Sequence, residues 1–335
     1  MKALALDGDW KACVDMIDTM WAEGVLPDPV NFNVAISACG RAGKTKNWEC
    51  AQTLLNKMRE AGLKPNLVTY TALILVCGRA GKVQHALSLL EDARQEGLSP
   101  NLINYNAAID ACAKHGEVDS ALGLLEQMKD SGDAALLPDL VSYNSAINAC
   151  AKAGDWALAQ WLLTEIRGAG LQADHLSFNA AIEACNRGGN SQSAMAMLGR
   201  MRMQGLAPDS FSYSAAIAAC RRESCTEEAL ELLQSMKEDG LSPSELQYNS
   251  AIEAVSREGD WVRALSLLRS MQDEGIEPDG YSYGSAIGAC AKGRNPELAG
   301  QLLEEMQRKG HTSRFAWNSV ISVHARAGNS SGVDT

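Results

Sequence analysis

The sequence predicts an all-α fold, an α-solenoid built from tandem two-helix repeats. Three observations carry this expectation: a period close to 35 residues, apolar positions at helical spacing within each period, and recurrent glycine and proline stops. Residues 140–174 show the pattern most plainly. Tyr143, Ile147 and Cys150 stand at i, i+4 and i+7, so they share one face of a first helix. Gly154 ends that helix and Asp155 is placed to cap the next, whose buried stripe is Ala159, Leu162, Leu163 and Ile166. Gly170 then stops the second helix.

Repeats run 29–66, 67–101, 102–139, 140–174, 175–209, 210–244, 245–279 and 280–313. A partial repeat fills 1–28, another fills 314–328, and 329–335 reads as a tail, so 1–328 forms a single solenoid domain. The two longer repeats carry three extra residues each, near 45–47 and within 133–137, at helix ends where a solenoid tolerates insertion.

An aromatic opens each first helix: Phe32, Tyr70, Tyr105, Tyr143, Phe178, Tyr213, Tyr248 and Tyr283. Isoleucine follows four residues on, from Ile36 to Ile287. Each second helix holds an alanine (Ala51, Ala86, Ala121, Ala159, Ala194, Ala229, Ala264, Ala299) where a larger side chain would push helices apart. Glycine closes the second helices from Gly62 to Gly310, and proline follows in most repeats. The register weakens near the end, where Gly284 replaces a polar side chain and Arg294-Asn295-Pro296 replaces the usual turn.

Apolar residues make up 46% of the chain, and no apolar run approaches a membrane span. Of ten cysteines, seven (Cys39, Cys77, Cys112, Cys150, Cys185, Cys220, Cys290) hold one buried place in successive repeats. Val255 fills that place in the seventh repeat, as packing allows and metal ligation does not. No C-x-x-C occurs, and Cys13, Cys50 and Cys225 are scattered, so the thiols read as core in a reducing compartment. The chain opens as though inside a helix pair and reads as truncated, with any targeting segment upstream.

The net charge of −11 counts against a non-specific nucleic-acid binder, but the acids concentrate on second helices and the turns after them. Three positions outside the framework keep a constant character. The first is basic in every repeat: Arg41, Arg79, Lys114, Lys152, Arg187, Arg222, Arg257, Lys292 and again Arg326. Cations favour helix C-termini by roughly 0.3–1 kcal/mol, which accounts for any one of them. Their recurrence throughout favours a rail of phosphate contacts.

The second position lies two residues before the aromatic, in what reads as a connecting segment. It is apolar throughout: Val30, Val68, Ile103, Val141, Leu176, Phe211, Leu246, Tyr281 and Phe315. A staple onto the following helix and a surface for stacking bases both explain it on the residues alone. The third is the residue after the aromatic, paired with the last residue of its repeat. The pairs are Asn33 with Asn66, Thr71 with Asn101, Asn106 with Asp139, Asn144 with Asp174 and Asn179 with Asp209; then Ser214 with Ser244, Asn249 with Asp279 and Gly284 with Ser313. Such residues are ordinary caps, yet their hydrogen-bonding character varies on a constant scaffold, as reading base edges one by one requires.

The pattern resembles the pentatricopeptide repeat family. The likeness rests on the aromatic-Asn starts (Ser-Tyr-Asn, Asn-Tyr-Asn, Gln-Tyr-Asn), the Lys/Arg-x-Gly break, the Ala-Leu-x-Leu-Leu second helix and the Pro-Asp closes at Pro27, Pro138, Pro208 and Pro278. The Trp-Leu-Gly-Tyr signature of tetratricopeptide arrays is missing. The resemblance implies a right-handed superhelix that binds single-stranded RNA in its concave groove, one base per repeat. It implies that the polar pairs select bases, that the apolar row clamps them, and that the chain acts in chloroplast or mitochondrial RNA processing, stabilisation or translation. It further implies that Asn with Asp favours U, Thr with Asn favours A, and Asn with Asn favours a pyrimidine.

A protein-binding helical scaffold is the alternative, kept open by the acidic balance. The five histidines occupy unrelated places, and no Ser-His-Asp order, phosphate loop or H-x-E…C-x-x-C pattern appears. The reading therefore expects no enzyme, cofactor, metal or small-molecule substrate within this chain, and no membrane partner. Other RNA-processing proteins stand as further partners, and an RNA-processing enzyme whose catalytic domain was lost by truncation stands as a third class.

Overall fold

The computed structural model describes residues 9–41, 47–223 and 225–326. The described residues hold eighteen α-helices and no strand, and none of these helices is long and apolar enough to cross a membrane. Helix α1 (Trp10–Ala22) is followed by eight hairpins. They are α2 (Pro29–Arg41) with α3 (Asn47–Glu60), α4 (Leu67–Arg79) with α5 (Val83–Gln95), α6 (Leu102–His115) with α7 (Val118–Asp130), and α8 (Leu140–Ala153) with α9 (Trp156–Gly168). Next come α10 (His175–Gly188) with α11 (Ser191–Met203), α12 (Ser210–Glu223) with α13 (Thr226–Glu238), α14 (Glu245–Glu258) with α15 (Trp261–Asp273), and α16 (Gly280–Lys292) with α17 (Pro296–Arg308). Helix α18 (Arg314–Arg326) stands last. The residues expected as an insert within 133–137 form a short 3₁₀ turn, Ala134–Leu136, between α7 and α8. The other insert, apart from Asn47, lies outside the described residues, as do the expected helix start at 1–8 and the tail at 329–335.

The helices fall into two compact bodies, residues 1–153 with 157–173 and residues 154–156 with 174–335. In the first body α2, α4, α6 and α8 pack side by side; in the second α10, α12, α14, α16 and α18 do the same. Helices α2, α4 and α6, like α10, α12, α14 and α16, also pack on their own hairpin partners. This neighbour-on-neighbour stacking is the contact pattern of an α-solenoid.

The periodic residues are the core. The opening aromatics, the isoleucines four residues on and the second-helix alanines are all buried. The seven repeated cysteines are buried as well. Burial pushes the Cys77 thiol up to about 11 and those of Cys112, Cys185 and Cys290 to about 12, so they stay protonated and behave as small hydrophobes. Each fully buried isoleucine stabilises the stack by about 1.5–3 kcal/mol.

Small side chains let the first helices approach closely. A Cβ added at Gly78 on α4 would lie 2.7 Å from the Ala111 Cβ on α6, and one at Gly40 on α2 would lie 3.0 Å from a Val76 methyl. The aromatic hydroxyls add a polar seam. Arg59 on α3 donates to the Tyr70 hydroxyl (3.3 Å) and pairs with Glu96 (2.7 Å). The same relation recurs as Arg202, Tyr213 and Asp239, and as Lys237, Tyr248 and Glu274. These ion pairs are partly exposed and contribute about 0–1 kcal/mol each, so the seam sets register more than stability.

The close approach at Gly78 makes a sharp test of packing against propensity. A helical Gly→Ala change normally gains up to about 1 kcal/mol. Overpacking costs about 1–3 kcal/mol. Gly78→Ala is expected to lower the urea midpoint, because the new methyl must push α4 from α6. Cys112→Ala is expected to cost about 1 kcal/mol, the scale of one lost methylene-sized group.

Candidate nucleic-acid interface

The first turn of each first helix carries two of the three sequence-predicted positions. The apolar row lies inside the helices, at their second residues, rather than in connecting segments. Its members are exposed, from 49% at Tyr281 to 69% at Leu176. A hydrophobic staple would bury them, so the structure removes the staple explanation and leaves a row of apolar side chains facing outward. Tyr281 is also held by its hydroxyl, which donates to Glu253. Glu253 accepts from Arg221 (3.0 Å) and Arg257 (3.3 Å) as well. Burial alone would raise its carboxyl, but the Tyr281 and Arg221 hydrogen bonds outweigh burial and hold it below the usual range.

The last residue of each repeat is the N-cap of the next first helix. Asn66, Asn101, Asp174, Ser244 and Asp279 form capping boxes with the residue three positions on. Asp139 and Asp209 do so through Ser142 and Ser212: each carboxylate accepts from the serine N–H (2.9 and 2.8 Å). The residue after the aromatic is different. It lies within the helix, half-buried in most repeats, and caps nothing.

Two predicted pairs touch directly. Asn106 Nδ2 donates to Asp139 (3.2 Å), and Asn179 Nδ2 donates to Asp209 (3.1 Å). Burial would raise the Asp209 carboxyl, but the Ser212 N–H, its hydroxyl and the Asn179 amide hold it below the usual range. Thr71 with Asn101, Ser214 with Ser244 and Asn249 with Asp279 are joined instead through a third residue, Asn104, Gln247 or Ser282. Asn144 lies on α8, and Asp174 caps α10. Asn33 Oδ1 is buried without a partner. The bridging residues were missed from sequence: they stand directly before the aromatic and pass for framework, and only burial marks them.

At Gly284 the selecting side chain is replaced by space. A cavity of about 590 Å³ opens there, with Tyr281 and Phe315 on its lining beside Gly284, Gly288, Arg257 and Lys292. The cations stand in the last turns of their first helices. Lys114 pairs with Asp110, Arg187 with Glu183 (2.6 Å) and Arg257 with Glu253, each on its own helix. In the second body they also form a ladder onto neighbouring helix ends. Arg222 donates to the Arg187 carbonyl (3.4 Å), Arg257 to that of Arg222 (3.3 Å), and Lys292 to that of Arg257 (3.1 Å). The capping explanation for these cations therefore has direct contacts behind it. Their charges nevertheless reach solvent, since the side chains of Lys114, Arg187 and Arg257 are 39–41% exposed. Among the described residues, no cluster of three His, Cys, Asp or Glu side chains has metal-binding geometry.

Comparison with known proteins places these features in a family. The pentatricopeptide repeat domain profile matches residues 16–80, 53–115 and 88–153, and the single-repeat profile matches 141–171. The pentacotripeptide-repeat region of PRORP matches 164–331. A search of curated proteins returns no relative. Among solved structures, the pentatricopeptide repeat protein PPR10 in complex with an 18-nt psaJ RNA element aligns with a TM-score of 0.62 at 21% identity, covering 99% of this chain and 53% of that one. PPR10 from maize aligns with a TM-score of 0.57 at 22% identity, covering 99% and 56%. The chain thus spans about half the length of these solved chains, and the likeness shows the fold. With helical hairpins at a 35-residue period and a single repeat profile spanning half its length, the chain belongs to the pentatricopeptide repeat family.

Proposed function

We propose that this chain binds single-stranded RNA one base per repeat, with the polar pairs selecting bases, the apolar row clamping them and the cations meeting phosphates. The observation that carries the reading is the exposed apolar row beside the polar pairs. Nine apolar side chains turned outward at equivalent places cost burial that the fold does not recover, and flat bases are the surface they suit. The RNA held by PPR10 in its solved complex supports the choice of ligand. A setting in chloroplast or mitochondrial RNA metabolism accompanies the family likeness.

Taken pair by pair, from the RNA 5′ end, the repeats spell pyrimidine, A, U, U, U, an unassigned base at Ser214 with Ser244, then U. Gly284 has no side chain to select with, so its base is unconstrained. The binding test is a competition between labelled RNAs carrying this string and RNAs altered at one base. Each mismatch at a hydrogen-bonding pair is expected to cost on the order of 1–3 kcal/mol, the scale of base discrimination in duplex recognition. Equal binding by all the RNAs would refute base reading, and no binding would favour a protein partner.

The cations are expected to set affinity without setting choice. Replacing Lys114, Lys152 and Arg187 by Ala should weaken binding to every RNA alike and reduce the slope of log K against log salt by about 2, from roughly 0.7 per phosphate contact. An unchanged slope would remove these side chains from the interface.

Their acidic partners give the complementary experiment. Asp110→Asn with Glu183→Gln releases Lys114 and Arg187 from their ion pairs. Low-salt affinity is expected to rise about two- to fivefold, the equivalent of an exposed ion pair's roughly 0.5–1 kcal/mol. A filter-binding titration at two salt concentrations reads both the gain and its screening.

A further inference from the structure

The bridging residues follow a rule across the chain. Asn33, Asn106, Asn144, Asn179 and Asn249 each have a hydroxyl residue at the third position of the following repeat: Thr69, Ser142, Ser177, Ser212 and Ser282. The hydroxyl selectors Thr71 and Ser214 have amides there, Asn104 and Gln247. Gly284, with no side chain, has Ala316. A long selector meets a short third residue, a short selector meets a long one, and an absent selector meets an apolar one.

The hydrogen bonds explain the rule. The third residue first satisfies the helix start by accepting the N–H of the cap. Ser142, Ser212 and Ser282 accept from Asp139, Asp209 and Asp279 at 3.2, 3.3 and 3.2 Å. Asn104 and Gln247 accept from Asn101 and Ser244 at 3.0 and 2.8 Å. Each has a donor left, and the Asn104 and Gln247 amides aim theirs at the selector of the repeat before. The serine hydroxyls, 2.9, 2.8 and 2.9 Å from their own cap carboxylates Asp139, Asp209 and Asp279, lie closer still to that selector. Ser142, Ser212 and Ser282 donate to the amide oxygens of Asn106, Asn179 and Asn249 at 2.5, 2.5 and 2.6 Å. Asn104 and Gln247 donate to the hydroxyls of Thr71 and Ser214 at 2.7 and 2.6 Å. The Thr69 hydroxyl keeps only the contact to its own cap, Asn66 Oδ1 at 3.2 Å, and Asn33 Oδ1 has no partner.

The contact decides what a base would meet. In Asn106 and Asn179 the oxygen is taken by serine and the nitrogen turns to the cap carboxylate, so the amide cannot flip without setting oxygen against carboxylate. One amide N–H remains to offer. Thr71 and Ser214 give their proton to backbone carbonyls, Leu67 (2.8 Å) and Ser210 (2.6 Å), so with an amide donating to them they keep only a lone pair.

We infer that the third residue of each repeat is a positioning residue for base choice in the repeat before it, and that its length must complement the selecting side chain. The inference rests on the base reading proposed above. It predicts that Thr71→Asn with Asn101→Asp is an incomplete switch, because Asn104 would crowd the new amide. Adding Asn104→Ser recreates the Asn106, Asp139 and Ser142 arrangement.

The experiment compares the full chain, the double variant and the triple variant on two RNAs that differ only at the base for repeat 67–101, A or U. The wild type is expected to prefer A by about tenfold, the scale of one good hydrogen-bonded match. The triple variant is expected to prefer U by a similar factor, and the double variant to show under about threefold preference. Thermal midpoints without RNA serve as a second readout, with the double variant expected below both the others. A double variant that matches the triple in U preference overturns the inference while leaving base reading intact. So does a triple variant that gains no U preference when the wild type prefers A. A wild type that binds both RNAs equally overturns base reading and the inference with it.

Discussion

A helix begins with four N–H groups that have no intrahelical partner, and the way this chain satisfies them shapes everything near its outward-facing positions. At Asn66, Asn101, Asp139, Asp209 and Asp279 the last residue of one repeat and the third residue of the next exchange hydrogen bonds across the helix start. Because each of these caps is also the end of the previous repeat, the interaction within each body joins consecutive hairpins as well as starting one. The second body shows the consequence at Asp209: its carboxylate caps α12, holds Ser212 and receives the Asn179 amide from α10. A local rule about helix termini thereby becomes a contact between neighbouring repeats.

The electrostatics follow a similar economy of position. Cations at the C-terminal ends of first helices oppose the negative end of the helix dipole and satisfy carbonyls on the next helix, as Arg222, Arg257 and Lys292 do. The same side chains stay partly exposed and lie one or more helical turns from the polar pairs. Asn144 and Lys152 are eight residues apart, about 12 Å at 1.5 Å per residue. A structural role therefore does not compete with a phosphate role. It preorganises the charge, at the cost of pairing some of it with Asp110, Glu183 and Glu253. Part of the acid at the ends of second helices, Glu96, Asp239 and Glu274, pairs with cations beside the tyrosine hydroxyls.

The fold was legible because its determinants are local and repeated. Tyr143, Ile147, Cys150 and Ala159 announce two buried helical faces by spacing alone, and the structure buries all four. Val255 in place of cysteine was enough to separate packing from metal ligation. The apolar row at Val30 through Phe315 was legible as a row, but whether it was buried was not. A staple and an exposed clamp share one sequence pattern, and only solvent exposure tells them apart.

Sequence by itself determined the repeat, the helix pair, the core and the identity of the variable polar positions, because periodicity and helix stops act within a few residues of one another. Only the tertiary structure decided how the variable positions are held. Ser142 and Asn106 are 36 residues apart in the chain and 2.5 Å apart in space. Their complementarity in length has no local signature, since each is an ordinary residue in its own helix. It arises from the stacking of one hairpin on the next, which brings the start of one helix against the side of its neighbour.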